Sequence, residues 1–179
     1  MAGVLTMLAT LVAAIAISPR FSFWDSNLSV LGITAAAPLF NTGLITCGML
    51  GTFLAIGTGL HLSGGRPARF AGAALLAVAM AALAAIGIFT EAYGLLHFYI
   101  AVAFFTFLIM ASLALGLSFA RDPAYKRIGR LAIFSAVMGM LAWFLPSGEG
   151  IAIPELVASM PGLAWLGLLG LRMAKTAAA

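Results

Sequence analysis

Charge is the scarcest commodity in this chain of 179 residues: nine Lys and Arg, five Asp and Glu, and two His. Such a sequence cannot cover a globule with a polar skin, so a water-soluble fold is excluded before any pattern is read. Cysteine is nearly absent as well. The lone Cys47 forms no intrachain disulfide and belongs to no paired-cysteine motif, and inside an apolar run it is expected to pack as a small residue. No phosphate-binding glycine loop is present, and no Asp, Glu, Lys or Arg lies near the middle of any apolar run. The second absence argues against ion-coupled transporters and proton pumps, which need such a group at mid-bilayer. Thr46, Thr52, Thr58, Thr106, Ser112 and Ser135 satisfy themselves on their own helix backbone and do not by themselves draw a channel.

What is abundant is apolar: 64% of residues, with a mean hydropathy of +1.16. Six runs stand out, at 4–17, 39–62, 70–89, 95–120, 128–145 and 154–171. They are continuous rather than alternating, which excludes strand crossings. In hydrocarbon every backbone N–H and C=O has to be paired internally, so the expected fold is all-α: a polytopic bundle of six transmembrane helices forming one domain over the whole chain. A crossing takes about 20 residues. The second and fourth runs exceed that, while the first and fifth need their interfacial ends or a thinner bilayer. The first run lacks the basic segment of a secretory signal and is read as a span.

Charge sign supplies the orientation. Arg66, Arg69, Arg121, Lys126, Arg127, Arg130, Arg172 and Lys175 fall in alternate gaps, on the side shared by both termini, whereas Asp25, Glu91, Glu149 and Glu155 fall in the others with Arg20. The positive-inside rule makes the basic side cytoplasmic, giving an N-in, C-in topology. The basic balance is thereby accounted for by orientation, and nucleic acid is not an expected partner. Membrane lipids are, and the 121–130 loop is placed to touch anionic head groups. Phe21, Phe23, Trp24 and Trp143 read as interfacial belt aromatics.

Small residues predict the packing. Gly43, Cys47, Gly51, Ala55 and Gly59 recur every four residues in the second run, with Gly48 beside them, and Ala73, Ala77, Ala81 and Ala85 do so in the third. Helices in lipid associate by close van der Waals approach, so these two faces are expected to meet as antiparallel neighbours across the short turn containing Ser63 and Gly65. Pro38 and Pro154 suit helix first turns, and Pro161 is expected to kink the sixth helix.

Polar side chains other than the basic ones concentrate on the outer side. Asp25, Asn27, Ser29, Asn41, Glu91 and His97 are expected to line a polar cup formed by three outer loops, binding a lipid head group, a small amphiphile or a partner's loop. A nucleophile, base and orienter drawn from Asp25, Ser26, Ser29 and His97 is weighed against a plainer role, in which Asp25 and Ser26 cap a short interfacial helix running to Gly32. The plainer role is preferred, and no catalytic residue is assigned. Asp25, Glu91 and His97 match no metal-ligand spacing, so no metal is expected. His61 and His97 sit at opposite ends of the bilayer and cannot share a haem, so no cofactor is expected either. His97 is expected to hydrogen-bond Glu91, Asp25 or a backbone carbonyl. Glu155 follows Pro154 at a helix start, where its carboxylate suits the helix dipole.

Several strings occur together in this order: Asp25-Ser26-Asn27-Leu28-Ser29-Val30-Leu31-Gly32, then Phe40-Asn41-Thr42-Gly43-Leu44, Gly87-Ile88-Phe89-Thr90-Glu91 with His97, and Ile153-Pro154-Glu155-Leu156 before Trp165. On this topology the chain resembles the prokaryotic membrane-protein family known as domain of unknown function 998. It departs from that pattern at Thr90, where proline is common, and in having a single His97 where paired histidines often occur. The resemblance implies six spans in a prokaryotic plasma membrane and no established activity. Three functional classes follow: a membrane protein binding a lipid or amphiphile, an accessory subunit of a larger membrane complex, and an outer-leaflet lipid-modifying enzyme.

Overall fold

A computed structural model describes residues 1–62, 64 and 66–177. Each apolar run is a helix: α1 (Ala2–Ala16), α2 (Ala37–Gly57), α3 (Pro67–Ile88), α4 (Leu95–Ala120), α5 (Lys126–Leu141) and α6 (Ala152–Ala177). A π-turn, Thr58–Leu62, prolongs α2, and a 3-10 turn, Ala142–Phe144, prolongs α5. No strand occurs among the described residues. Five of these segments, 19 to 26 residues long, are long and apolar enough to cross a membrane, whereas α1 has only 15 residues. At about 1.5 Å per residue the five reach roughly 28–39 Å, against a hydrocarbon core of about 30 Å.

Consecutive helices run antiparallel, side by side, in chain order, and α6 returns lightly to α1 to close the ring. The loops bearing Asp25, Glu91 and Glu149 therefore gather with Glu155 of α6 at one end, the carboxylate end, and Arg66, Arg121, Lys126 and Arg172 at the other, the basic end.

The α2–α3 contact is close, but the predicted stripe is only partly the surface that makes it. A Cβ on Gly48 would sit 2.5 Å from the Ala84 backbone nitrogen and 2.6 Å from the Met80 carbonyl oxygen, so here backbone meets backbone. Gly51 faces the Met80 side chain, and Gly87 of α3 answers against Asn41 and Leu44. Gly43 instead faces Thr10 and Met7 of α1, and Ala81 is exposed. A side-chain-poor helix between two neighbours divides its glycines between them. Ser63 and Gly65, on which the turn was predicted, lie outside the described residues. The α4–α5 crossing is built likewise, with Gly116 and Gly129 against each other's helix backbone. α6 runs without interruption through Pro161.

Arg69 departs from its expected place in a loop. It lies in the first turn of α3, with a side chain only 5% exposed. Its guanidinium donates from Nε to Ser118 Oγ (3.1 Å), from Nη1 to the Leu62 carbonyl (2.9 Å) and from Nη2 to Asp122 Oδ2 (2.7 Å), and it stacks over the Phe119 ring at 4.9 Å. This arginine latches the end of the α2 π-turn, α4 and the α4–α5 loop together. It also explains the one acidic residue at the basic end. The hydrogen bond from Arg69 is the main cause that holds the Asp122 carboxyl below its usual range.

Candidate functional site

The carboxylate end is closed by loops that hydrogen-bond one another. The 17–36 loop turns at Ser22, whose hydroxyl donates to Asp25 Oδ2 (3.0 Å), while the Ser22 amide donates to Ser26 Oγ (3.2 Å). The chain then runs beside the segment preceding α6. The Trp24 carbonyl accepts the Gly148 and Gly150 amides at 3.1 and 3.4 Å, and the Ser26 carbonyl accepts Ala152 N–H at 3.0 Å. Asn27 Oδ1 takes Ile151 N–H at 3.1 Å. The N-terminal N–H groups of a helix have no intrahelical acceptor, so this seam both joins two loops and satisfies the first amide of α6, that of Ala152. Only glycine fits at 150, because a Cβ there would strike the Ser26 backbone.

From the same segment a second set of bonds reaches the α3–α4 loop. Asn27 Nδ2 donates to Glu91 Oε1 at 3.4 Å and Ser29 Oγ to Glu91 Oε2 at 3.2 Å. Glu91 opens the 3-10 turn Glu91–Tyr93, and Gly94, at φ +58°, redirects the chain into α4. Three loops thus converge around 27–29.

Beneath them the 3-10 helix Leu28–Ile33 begins without a side-chain cap from its own loop. The predicted caps, Asp25 and Ser26, are occupied in the preceding turn. Glu155 on α6 takes their place, with Oε2 accepting the Leu28 amide at 2.7 Å. Asn41 Nδ2 donates to the Gly32 carbonyl at 3.0 Å and fastens the far end of this helix to α2. His97, 8% exposed and one turn into α4, places Nδ1 2.7 Å from the Phe89 carbonyl. A carbonyl only accepts, so Nδ1 carries the proton and Nε2 remains the ring's other polar atom.

Under this cap lies a cavity of about 80 Å³ walled by α1, α2, α3, α4 and α6. One water needs roughly 10–15 Å³ in that measure, so there is room for several methylene groups. Its polar residues, Ser29, His97, Glu155 and Ser159, all sit toward the carboxylate end. The remaining wall is hydrocarbon and rings, with Leu11, Leu44, Ile86, Phe104 and Leu108 from four different helices.

Of the six predicted cup residues, Ser29 and His97 line the cavity, Asn27 and Glu91 complete the network above it, Asn41 holds a helix end, and Asp25 is exposed and engaged only locally. Sequence reasoning missed Glu155 and Ser159 as lining residues. The signal was present as a stripe, since Glu155, Ser159, Gly162 and Leu166 share one helical face that grades from polar to apolar. Among the described residues no group of three or more His, Cys, Asp or Glu could hold a metal ion.

One protein family, described as protein of unknown function (DUF998), matches residues 1–172. No curated protein and no solved structure matches the chain.

Proposed function

The chain belongs to the DUF998 family, and for this member we propose a six-span protein of a prokaryotic plasma membrane, termini cytoplasmic, that holds a single-chain amphiphile. The amphiphile's head lies at Ser29, His97 and Glu155 on the outer side and its chain in the cavity below. The orientation rests on the positive-inside rule applied to the basic end. The sixth crossing is α1, whose 15 residues reach about 22 Å and need their interfacial flanks to complete it.

The observation that carries this reading is the cavity's one-way polarity, with hydrogen-bonding groups at one end and apolar wall below. That gradient is the profile of an amphiphile. It suits neither a polar solute, which would leave the lower wall against water, nor a pure hydrocarbon, which would leave the cap unpaired. A volume near 80 Å³ accommodates part of one chain rather than two. The head chemistry follows from what is left over: Glu155 has spent one oxygen on Leu28 and His97 has spent Nδ1 on Phe89, leaving acceptors at Glu155 Oε1 and His97 Nε2. Heads bearing O–H or N–H donors fit such a cap.

The test compares monododecanoylglycerol with methyl dodecanoate, which has the same chain and no donor, by binding to the protein in lipid nanodiscs. One net hydrogen bond is about 0.5–1.5 kcal/mol, a preference of about two- to twelvefold for the glycerol ester. His97→Asn, whose amide still reaches the Phe89 carbonyl, is expected to narrow that preference. Absence of binding by either ester, or equal binding by both, overturns the reading.

A further inference from the structure

A second cavity, about 230 Å³, lies toward the basic end between α1, α2 and α6, against Gly3, Leu50, Leu54 and Gly170. Three residues line both cavities: Met80 of α3 and Leu163 and Leu166 of α6. The two spaces are therefore neighbours separated by a single layer of side chains. Resting on the amphiphile reading above, we infer that Met80 is a movable partition that sets the length of hydrocarbon chain the protein accepts.

The layer's three members differ in how freely they move. Leu163 and Leu166 are branched and sit on α6. Met80 is unbranched, with three rotatable side-chain bonds and a polarisable sulfur, the side chain best suited to changing shape inside a packed interior. Its backbone stays put, because α2 and α3 touch there through Gly48 and the Met80 carbonyl. Its side chain rests on Gly51, where even a methyl group would collide with the sulfur. The missing side chain at 51 thus gives the Met80 thioether a flat bed on α2, beside the second cavity that Gly51 itself lines.

Depth fixes the length scale. From Glu155 at the cap to Leu166 at the partition is eleven residues of α6, about 16 Å. That is close to half of the roughly 30 Å hydrocarbon core, the depth of one leaflet's chains. A chain anchored at the cap reaches Met80 with its end, and a longer one continues only where Met80 swings aside into the larger space.

The experiment measures affinity of monoacylglycerols from octanoyl to octadecanoyl for the protein in nanodiscs. In the wild type, affinity rises about fourfold per added methylene while the chain is being buried, then levels off once the end meets the partition. Met80→Ala removes the partition, and the plateau moves to longer chains. Met80→Phe moves it to shorter ones. Leu166→Ala opens the same layer from α6 and serves if a Met80 variant fails to fold. A plateau that stays at one chain length in folded Met80→Ala and Leu166→Ala overturns the partition while leaving the amphiphile reading intact. Absence of binding at every chain length overturns that reading and the partition together.

Discussion

Replacing Gly48 with alanine separates a contact made by backbone from one made by side chains. The added Cβ would lie 2.5 Å from Ala84 N and 2.6 Å from Met80 O, where ordinary van der Waals contact begins at 3.4 Å. The shortfall of about 0.9 Å cannot be absorbed by a rotamer, because both opposing atoms are main chain, so α2 and α3 have to separate along their crossing. Overpacking costs about 1–3 kcal/mol, and against unyielding main-chain atoms the upper part of that range, about 2–3 kcal/mol, applies; alanine's helix preference over glycine offsets about 1 kcal/mol, leaving a net loss of about 1–2 kcal/mol. Gly59 belongs to the same sequence stripe, yet a Cβ there meets the Ala73 Cβ at 3.5 Å and the Phe70 ring at 3.9 Å, both at ordinary van der Waals distance. Gly59→Ala is therefore expected to be neutral or slightly stabilising. At about 2–4 °C per kcal/mol for a chain of this size, Gly48→Ala loses roughly 2–8 °C of Tm by tryptophan fluorescence in detergent micelles. A Gly48→Ala protein melting at or above the wild-type temperature, or a Gly59→Ala protein falling as far, would refute the assignment of the contact to position 48.

At the basic end, Asp122→Asn leaves the buried Arg69 guanidinium without its carboxylate, and chemical denaturation is expected to show a loss of about 1–3 kcal/mol. The same pair sets an acid limit. Because Arg69 depresses the Asp122 carboxyl in the folded state, its contribution is complete above the unfolded value of 3.8 and drains away as pH falls below that through the folded value. Melting temperature should fall with acid through this window more steeply in the wild type than in Asp122→Asn, and parallel curves would contradict the linkage. Gly150→Ala pushes a methyl into the Ser26 backbone, so hydrogen exchange at the Leu28 and Ala152 amides should quicken markedly. Unchanged protection would mean that the loop seam does not depend on that contact.

Element order was legible in the sequence because every apolar run is free of charge through its middle and is bounded within a few residues by proline, glycine or charge. The boundaries slipped where hydropathy and helix chemistry disagree. α3 begins at Pro67, three residues before the apolar run, since proline at a first turn starts a helix whether or not its neighbours are apolar. That shift carried Arg69 from an imagined loop into a helix, where it is buried. Spacing showed that α2 lacks side chains but not which neighbour each glycine meets, because two helices flank it. In the loops, local reasoning gave Asp25 and Ser26 the task of capping the Leu28 helix, whereas Glu155, 127 residues distant, performs it. No window of sequence contains both partners. His97 was legible as far as its bond to a backbone carbonyl, while the cavity it lines is a property of five helices at once.

The bonds from Leu28 to Glu155 and from Ile151 to Asn27 span 127 and 124 residues. They tie one part of the polypeptide to another made more than a hundred residues later. While α1 to α5 are being laid down, the Leu28 amide and the Asn27 side-chain oxygen await acceptor and donor groups still inside the ribosome. The helical hairpins are local and fast to form, whereas this closure is far less local and cannot begin before Glu155 has been made. A nascent protein halted before residue 155 would have a bundle with its lid unfastened, and any occupant of the central space has until then to enter without passing a finished cap.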